Sequence, residues 1–450
     1  MQIKKLKVYQ IIEATCSDVV SEGLGISHIK TDEYKPLTGF ILGVLPGETF
    51  LAKITRVKSN HFLGVVLPIN EIPDEWVGAT HKRSDICHDI WSLFNISPLR
   101  IKTLCNIFTF CGSCKMLHMS YENTLFFKKK WLTTQLERNH VPYPEIKIIE
   151  SPRKTKYRNH VQIHINKLEQ RGFYAPYSYT TRQFPEHGCL LFDQEMVDQN
   201  FPVKLKLEKC VRARIDYIDN KSSIWSLHST EEKNETFTYT VEYPEHSKTF
   251  ITISNDSFFQ TNTSIIPLWL EELEKITGMF IKDNQKTKIL ELFCGFGFIS
   301  RMISYSQDID VLGIDILSTR DLGKNKIENE KYTPSVTIHK FKENYIQQDL
   351  CFLDKIKEDS KERIKIFQPD LIILNPPRSG FIPEQLNFLF KEIFNLTYKN
   401  PVIYSSCNGA TFARDAACLR QNGYEIDEIT LLDFFPWTSH YEIIALFHKI

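Results

Sequence analysis

Cys407 is the residue with the most chemistry to offer in this sequence. It follows the apolar run PVIYSS, stands at an expected strand end, and precedes Asn408-Gly409 and a helical stretch to about Leu419. The oriented N–H groups of a helix N-terminus favour a thiolate, so Cys407 reads as a nucleophile. Glu442 opens the final apolar strand, just after the loop in DFFPWTSHYE. A carboxylate at that strand end suits a general base. Asn375 ends another apolar run, DLIILN, ahead of Pro376-Pro377-Arg378. Its amide offers one acceptor and two donor hydrogens to a planar base, and the prolines fix that presentation by locking φ.

A second constellation points to a ligand. ILELFCGFGFIS reads as a strand with an acidic residue, then Gly295-x-Gly297, then a helix start. Such glycines permit a tight turn and a close approach of ligand to backbone. About twenty residues on, VLGID ends at Asp315, where a carboxylate can accept from both hydroxyls of a ribose. The third glycine of the dinucleotide fingerprint is missing, with Arg301 and its neighbours in its place. A compact nucleoside cofactor such as S-adenosylmethionine is therefore expected rather than a pyrophosphate.

Thiol, base and methyl donor together describe a reaction. Carbon 5 of a uracil is too weak a nucleophile to attack a methylsulfonium. A thiolate added at carbon 6 turns the ring into an enolate and makes carbon 5 reactive. A base must then remove the carbon 5 proton so that the thiol can leave. Within a nucleic acid the target base must first leave its stack.

A further cluster, Cys105-x5-Cys111-x2-Cys114, is followed 75 residues later by Cys189 in HGCLLFD. Four thiolates can hold a 4Fe-4S cluster or, equally, a zinc ion.

The elements that must position these residues follow from the length and texture of the chain. Its 450 residues allow two to four domains. Hydrophobic residues are 42% and charged residues 24%, which excludes a disordered or collagen-like chain. Lys plus Arg and Asp plus Glu are both 55, so only a local basic face is available to nucleic acid. No apolar run of about 18 residues or secretory leader is apparent, so no membrane association is expected. Eleven cysteines, an odd number, fit reduced thiols in a cytoplasmic setting.

Residues 1–72 predict short strands at 5–13, 39–45, 49–57 and 61–68, the makings of an OB-type barrel. Residues 73–250 begin irregularly and continue with a helix from Ser120 to about Asn139. Alternating strands follow, including Val161-Ile163-Ile165 and Val211-Ala213-Ile215. Residues 251–450 alternate helix and strand, with a helix over 266–278 and strands KILELF, DVLGID, DLIILN and PVIYSS. That rhythm predicts a doubly wound α/β domain with a mainly parallel sheet.

Phe258-Phe259-Gln260-Thr261-Asn262, LELFCGFG, NPPRSG, SSCNGATFARD and FPWTSHYE stand in the order of the motifs of the RNA 5-methyluridine methyltransferases (the RumA/TrmA type). The resemblance covers nearly the whole chain. It implies a Rossmann-like S-adenosylmethionine methyltransferase domain, an N-terminal TRAM barrel and a central antiparallel β domain carrying an iron–sulfur cluster. Carried over by position, Cys407 resembles the nucleophile and Glu442 the base. Gln260, Phe293, Asp315 and Asn344 resemble the S-adenosylmethionine contacts. Asn375 stands where the family usually has an Asp that reads the target base and borders the cofactor. Cys105, Cys111, Cys114 and Cys189 resemble the 4Fe-4S ligands, in a structural or RNA-shaping role.

Three positions depart from the pattern. Asn375 loses a charge, Gly409 replaces a usual proline, and Phe298 replaces a small polar residue beside the cofactor. The expected partner is structured RNA, with 23S rRNA favoured over tRNA by the resemblance, and the expected state is a monomer. Residues 115–171 carry twelve Lys/Arg against five Asp/Glu, a net of +7, and include KKK at 128–130 and RKTKYR at 153–158. Phosphates bind such faces, and Tyr157, Phe173 and Tyr174 are candidates to stack on unpaired bases. Two alternatives stay open. Asn-Pro-Pro also suits an amino-group methyltransferase, although Arg378 lacks the aromatic face such enzymes use. A catalytically silent RNA-binding factor would keep the same fold.

Overall fold

The computed structural model describes residues 5–29, 37–73, 86–168, 170–185, 188–192, 210–216, 221–226, 236–254, 257–350, 358–393 and 400–450. The chain divides into two compact units. One comprises 1–128, 162–212 and 436–439; the other comprises 129–161, 213–435 and 440–450.

In the first unit, β1 (Ile11–Val20), β2 (Leu24–Ile29), β3 (Thr38–Leu42), β4 (Thr49–Val57) and β5 (His61–Val66) close a barrel in the order β1-β2-β3-β5-β4. Alternating burial along β1 and β5 follows from the period of two, with Ile12, Ala14 and Phe62 turned inward. The barrel expected from 1–72 is present, but its first strand begins at Ile11 rather than at residue 5. A strand the sequence reading missed, β2, pairs back onto β1 through a turn at Gly23 (φ 72°). Its inward positions include Gly25 and Ser27, so no row of large apolar residues marks it in the sequence. The irregular segment after the barrel is tied to it by a buried pair. Glu48 accepts from the Leu45 N–H at 2.7 Å and from Arg100 Nη2 at 2.6 Å, and the same nitrogen reaches the Gly43 carbonyl oxygen at 2.7 Å.

Helix α1 (Tyr121–Arg138) is capped by Ser120, whose Oγ accepts from the Asn123 N–H at 3.2 Å. Beyond β6 (Ile146–Ile149), strands β7 (His160–Ile165), β8 (Arg171–Tyr174) and β9 (Thr181–Gln183) form an antiparallel meander. Strands β10 (Cys210–Asp216) and β11 (Lys221–Ser226) are neighbours.

The second unit is built on an eight-stranded sheet. β12 (Thr236–Glu242) and β13 (Lys248–Ser254) form a hairpin that leads to α2 (Ile266–Gly278), with Pro267 in its first turn. Then follow β14 (Thr287–Leu292), α3 (Phe298–Ile303), β15 (Ile309–Asp315), α4 (Thr319–Leu322), β16 (Lys326–Asn329), α5 (Ile338–Glu343) and β17 (Tyr345–Gln347). The chain continues through α6 (Glu358–Phe367), β18 (Leu371–Leu374), α7 (Pro383–Phe388), β19 (Val402–Ser406), α8 (Gly409–Gln421), β20 (Tyr424–Leu432) and β21 (Glu442–Lys449).

The sheet order is β17-β15-β14-β18-β19-β21-β20-β6. The first five strands are parallel and β21 runs antiparallel to both neighbours. β18 and β19 are buried at every position, as a parallel sheet covered on both faces requires. The edge strand β6 comes from 146–149, far upstream of the alternating α/β segment. β12, β13 and β16 form a separate three-stranded sheet. Among the described residues, no helix is long and apolar enough to cross a membrane.

Candidate active site

The parallel register gathers three of the expected residues. Leu292 of β14 pairs with Ile314 of β15 and with Leu374 of β18. The next residue of each strand region, Phe293, Asp315 and Asn375, therefore lies at one carboxyl edge, where open α/β sheets hold ligands. The Asn375 N–H donates to the Leu292 carbonyl oxygen at 3.2 Å. Phe293 adopts φ 57°, a left-handed conformation uncommon outside glycine and concentrated at functional sites. Its ring meets Phe381 edge-on at 5.2 Å.

The glycine turn after β14 has room on one side and none on the other. A Cβ on Gly295 (φ 56°) would meet nothing within 4 Å, whereas one on Gly297 (φ 75°) would lie 2.4 Å from the Phe341 ring. Asp315 Oδ2 accepts from the Gly295 N–H at 2.8 Å and Oδ1 from the Leu317 N–H at 3.1 Å. A carboxylate offers about four lone-pair sites, so this one keeps acceptors for ligand hydroxyls. Behind the turn, the Glu291 carboxyl is buried and accepts from the Ser300 hydroxyl, fixing α3 to β14. Burial raises its pKa to about 7.

Gln260 sits half-buried in a loop held by its backbone. Its carbonyl oxygen accepts from Asn159 Nδ2 at 2.9 Å, and Asn262 donates to Ser151 Oγ at 3.0 Å and to the Phe434 carbonyl oxygen at 3.1 Å. The structure does not bring Asn344 to the carboxyl edge. Gly313 pairs with Tyr345, so Asn344 lies level with Leu312, about 10 Å along the strand from Asp315. Gln347 is level with Asp315 instead, and the Gln348 N–H donates to the Asp315 carbonyl oxygen at 2.8 Å.

Cys407 and Glu442 come together through the antiparallel ladder. Ser406 of β19 pairs with Ile443 of β21, so the next step of that register sets Cys407 opposite Glu442. Glu442 is 6% exposed, and burial raises its carboxyl to about 8, opposed by the positive charge of Arg378. Cys407 is half-buried. Burial first, and then the facing carboxylate, push its thiol up to about 11. This runs against the expectation of a thiolate favoured by the following helix, because burial of the sulfur disfavours its charged form.

Arg378 is the residue the sequence reading undervalued. Its guanidinium lies within hydrogen-bond reach of Cys407 and lowers that thiol, and its Nη2 meets His440 Nδ1 at 2.7 Å. The loop carrying it is clamped onto α8. Asn408 Nδ2 and Thr411 Oγ1 each donate to the Arg378 carbonyl oxygen at 3.2 Å, while Asn408 Oδ1 accepts from the Ala410 N–H at 3.0 Å. Buried Asp415 accepts from the Phe381 N–H at 2.8 Å and the Tyr404 hydroxyl at 2.6 Å. Arg-Ser-Gly after two prolines marks a turn; only the fold shows that its arginine reaches the thiol.

Phe298 packs into the core. It is 8% exposed, stacks on Trp269 at 6.0 Å and meets Phe259 edge-on at 5.3 Å.

In the other unit, Cys105, Cys111, Cys114 and Cys189 line one cavity of about 30 Å³, walled also by Phe108, Phe173 and Phe184. Among the described residues, no three Cys, His, Asp or Glu side chains are gathered tightly enough to hold a single metal ion. The donor set suits a thiophilic centre, with the chemistry of four soft ligands in an apolar pocket. Of the expected stacking residues, Tyr157 is buried at 1% exposure, which removes it from that role. Tyr174 stacks on His164 at 3.7 Å. Among the described residues the most exposed aromatics are Tyr179 (91%) and Phe258 (80%); the sequence reading named Phe258 only within a motif and neither as a stacking residue.

The chain is similar to known RNA methyltransferases in sequence and in fold. The sequence model of the tRNA (Uracil-5-)-methyltransferase family matches residues 237–450. An RNA methyltransferase of Leptospira interrogans, itself uncharacterized, is 30% identical over 92% of this chain and 90% of its own length. A 23S rRNA (uracil(1939)-C(5))-methyltransferase of Acinetobacter baumannii is 23% identical over 95% of this chain and 94% of its own. Among solved structures, the Pyrococcus abyssi tRNA (uracil-54, C5)-methyltransferase in complex with S-adenosyl-L-homocysteine has the same fold, with a TM-score of 0.60. It is 18% identical, and the match covers 97% of this chain and 99% of that one. The chain belongs to the S-adenosylmethionine-dependent RNA (uracil-5-)-methyltransferase family and is an enzyme of that class.

Proposed function

We propose that this enzyme forms 5-methyluridine in structured RNA, with 23S rRNA as the substrate class, using Cys407 as nucleophile and Glu442 as base. The observation that carries the reading is the register that sets these two side chains opposite one another, with Arg378 beside the thiol. The Cys407 thiol gives up its proton to solvent and adds as the thiolate to carbon 6 of the uracil, whose double-bond pair moves onto carbon 5 and the carbon 4 carbonyl as an enolate. S-adenosylmethionine, when bound, supplies an electrophilic methyl group on a sulfonium. Glu442 accepts the carbon 5 proton, and its carbon–hydrogen pair re-forms the double bond as the Cys407 carbon–sulfur bond breaks. Arg378 steadies the sulfur's negative charge at both ends of this cycle. Burial raises this carboxyl to about 8, so its ionised fraction, which takes the proton, is a stronger base than an exposed carboxylate and grows as pH rises through about 8.

The residues for the cofactor are Asp315, for the ribose hydroxyls, with Phe293, Gln260 and Asn375 around it; the open side of the Gly295 turn supports this reading. Asn344 belongs to the same proposal through its backbone, which supports β15 at Gly313. Asn375 can accept from a uracil N3–H through its amide oxygen. The N-terminal barrel is read as a TRAM-type RNA-binding module. Cys105, Cys111, Cys114 and Cys189 would hold a 4Fe-4S cluster. A single zinc at about 2.3 Å from each sulfur draws four thiolates tightly together, whereas an iron–sulfur cluster accepts thiolates set further apart around one cavity. The ribosomal assignment over tRNA is supported by the relative named for 23S rRNA, which spans nearly the whole chain.

The test is covalent trapping. RNA transcripts carrying 5-fluorouridine should form a denaturation-resistant adduct through Cys407, because fluorine cannot leave as a proton does. Mapping the adduct on 23S rRNA and on tRNA transcripts would name the target. No adduct on either, with no methylated nucleoside by mass spectrometry on normal transcripts, would overturn the reading.

A further inference from the structure

Arg301 on α3 has no task in methyl transfer. It is 5% exposed, and its one hydrogen bond is long, Nη1 to the Phe296 carbonyl oxygen at 3.4 Å. Among the described residues, no carboxylate forms an ion pair with it, and the titratable group that acts on it is the Tyr305 phenol. A buried guanidinium without a counter-charge is a costly arrangement, and such groups in proteins are paired or bound to something. Burial lowers its pKa only to about 10, so it stays cationic at neutral pH.

The guanidinium lines a cavity of about 300 Å³, at the lower end of the range of small-molecule sites. Tyr305, Tyr332, Thr333, Thr337 and Glu328 share its wall, and none of the candidate cofactor or catalytic residues does. The phenols are already committed: Tyr305 donates to the Ile327 carbonyl oxygen at 3.1 Å and Tyr332 to Glu245 Oε2 at 2.6 Å. Thr337 Oγ1 accepts from the Lys340 N–H at 3.3 Å, which leaves its O–H to give. Thr333 makes no hydrogen bond among the described residues, so its O–H is also available. The cavity thus offers a cationic fork and two hydroxyl donors, with two aromatic rings as walls. Glu328, at its exposed rim, is the one acid that lines it.

We propose that this cavity is a binding site for a phosphate group, anchored by Arg301 and completed by the Thr333 and Thr337 hydroxyls. A guanidinium and two hydroxyl donors suit the several oxygens of a phosphate better than the two of a carboxylate, and Arg matches phosphate in a bidentate fork. The phosphate could belong to the RNA or to a free nucleotide. The inference stands independently of the methyl-transfer chemistry.

The experiment uses the full chain in its purified state. Inorganic phosphate and uridine 5′-monophosphate are titrated by calorimetry and by thermal unfolding, against sodium chloride of matched ionic strength. Both phosphates should bind and raise the unfolding temperature beyond the salt control. Arg301→Met should fold, because it removes an unpaired buried charge, and should weaken phosphate binding by at least about tenfold. Thr333→Val, which changes little volume, should weaken it severalfold, and Glu328→Gln should strengthen it. A KM for RNA raised in Arg301→Met at constant kcat assigns the phosphate to RNA; an unchanged KM assigns it to a free nucleotide. The proposal is overturned if the wild-type enzyme binds neither phosphate above the salt control. It is equally overturned if Arg301→Met and Thr333→Val bind as the wild type does.

Discussion

The Tyr441 hydroxyl occupies the space that a side chain on Gly409 would need. A Cβ there would lie 2.3 Å from that oxygen. Tyr441 is buried and directly precedes Glu442, while Gly409 begins the helix that follows Cys407. The glycine that looks like a loosened turn in sequence is thus filled from across the site. Gly409→Ala should push Tyr441 aside and disturb Glu442 with it. The expected cost is about 1–3 kcal/mol of stability and a fall in kcat. Tyr441→Phe removes the conflicting oxygen, so the double variant should recover most of both. A double-mutant cycle in chemical unfolding and in turnover measures this; additive effects would show that the two residues do not compete for space.

The facing pair Cys407 and Glu442 predicts opposite kinetic fates for two variants. Cys407→Ala should form no covalent adduct and no product. Glu442→Gln should still add to the base but fail to remove the carbon 5 proton, slowing turnover by about 10²–10⁴. Adduct on unmodified RNA should therefore accumulate in Glu442→Gln and be visible as a shifted band in a denaturing gel. Equal absence of adduct in both variants would remove Glu442 from the elimination step.

Much of this site could be read from one sequence because its parts lie at element boundaries. The ends of KILELF, VLGID, DLIILN and PVIYSS announce strand-to-loop turns, and parallel pairing brings those ends to one edge. What could not be read depended on long-range contact or on burial. The reach of Arg378 to Cys407 needs the loop clamped onto α8. The rise of the Cys407 thiol needs knowledge of its desolvation, which opposes the helix-end effect that local sequence suggests. Phe298 looks like an intruder beside a cofactor until Trp269 and Phe259, far upstream in the chain, are seen around it. β2 is hard to read because its inward positions include Gly25 and Ser27, which carry no large apolar side chain to mark an alternation. Asn344 was placed by motif order alone, and the sheet register sets it deeper than the edge.

Arg378 should matter through the thiol. Its positive charge lowers Cys407, in opposition to burial and to Glu442. Arg378→Met should raise the thiol further and slow adduct formation on fluorinated RNA by up to roughly tenfold at neutral pH, with the loss shrinking as pH rises. Arg378→Lys should recover part of the rate, since it keeps the charge but not the planar fork. A pH-independent defect would instead mean that Arg378 works by positioning RNA.

The four cysteines make a prediction that needs no activity assay. Enzyme purified without oxygen should carry close to one 4Fe-4S cluster, seen as broad visible absorption and by iron and sulfide analysis. Burial raises the Cys105 and Cys111 thiols, so loading must displace protons and should weaken at acidic pH. Cys111→Ser should lose most of the bound iron. Stoichiometric zinc without iron would replace the cluster by the simpler centre.

Glu442 also leaves a mark on stability that turnover does not report. Its carboxyl is raised from an ordinary 4.5 to about 8 in the folded protein, so the native state holds a proton that the unfolded chain has released. The folded state therefore keeps this group's full favourable contribution below about pH 4.5 and loses it as pH rises through about 8. The size is on the order of 5 kcal/mol for a residue this buried. Glu291, raised to about 7 by burial, slopes in the same direction over a narrower range. Unfolding free energies measured in urea from pH 5 to 9 should fall across that window, and Glu442→Gln should flatten much of the fall while being more stable than wild type at pH 9. A parallel offset between the two proteins at every pH would mean that Glu442 titrates as an ordinary carboxylate.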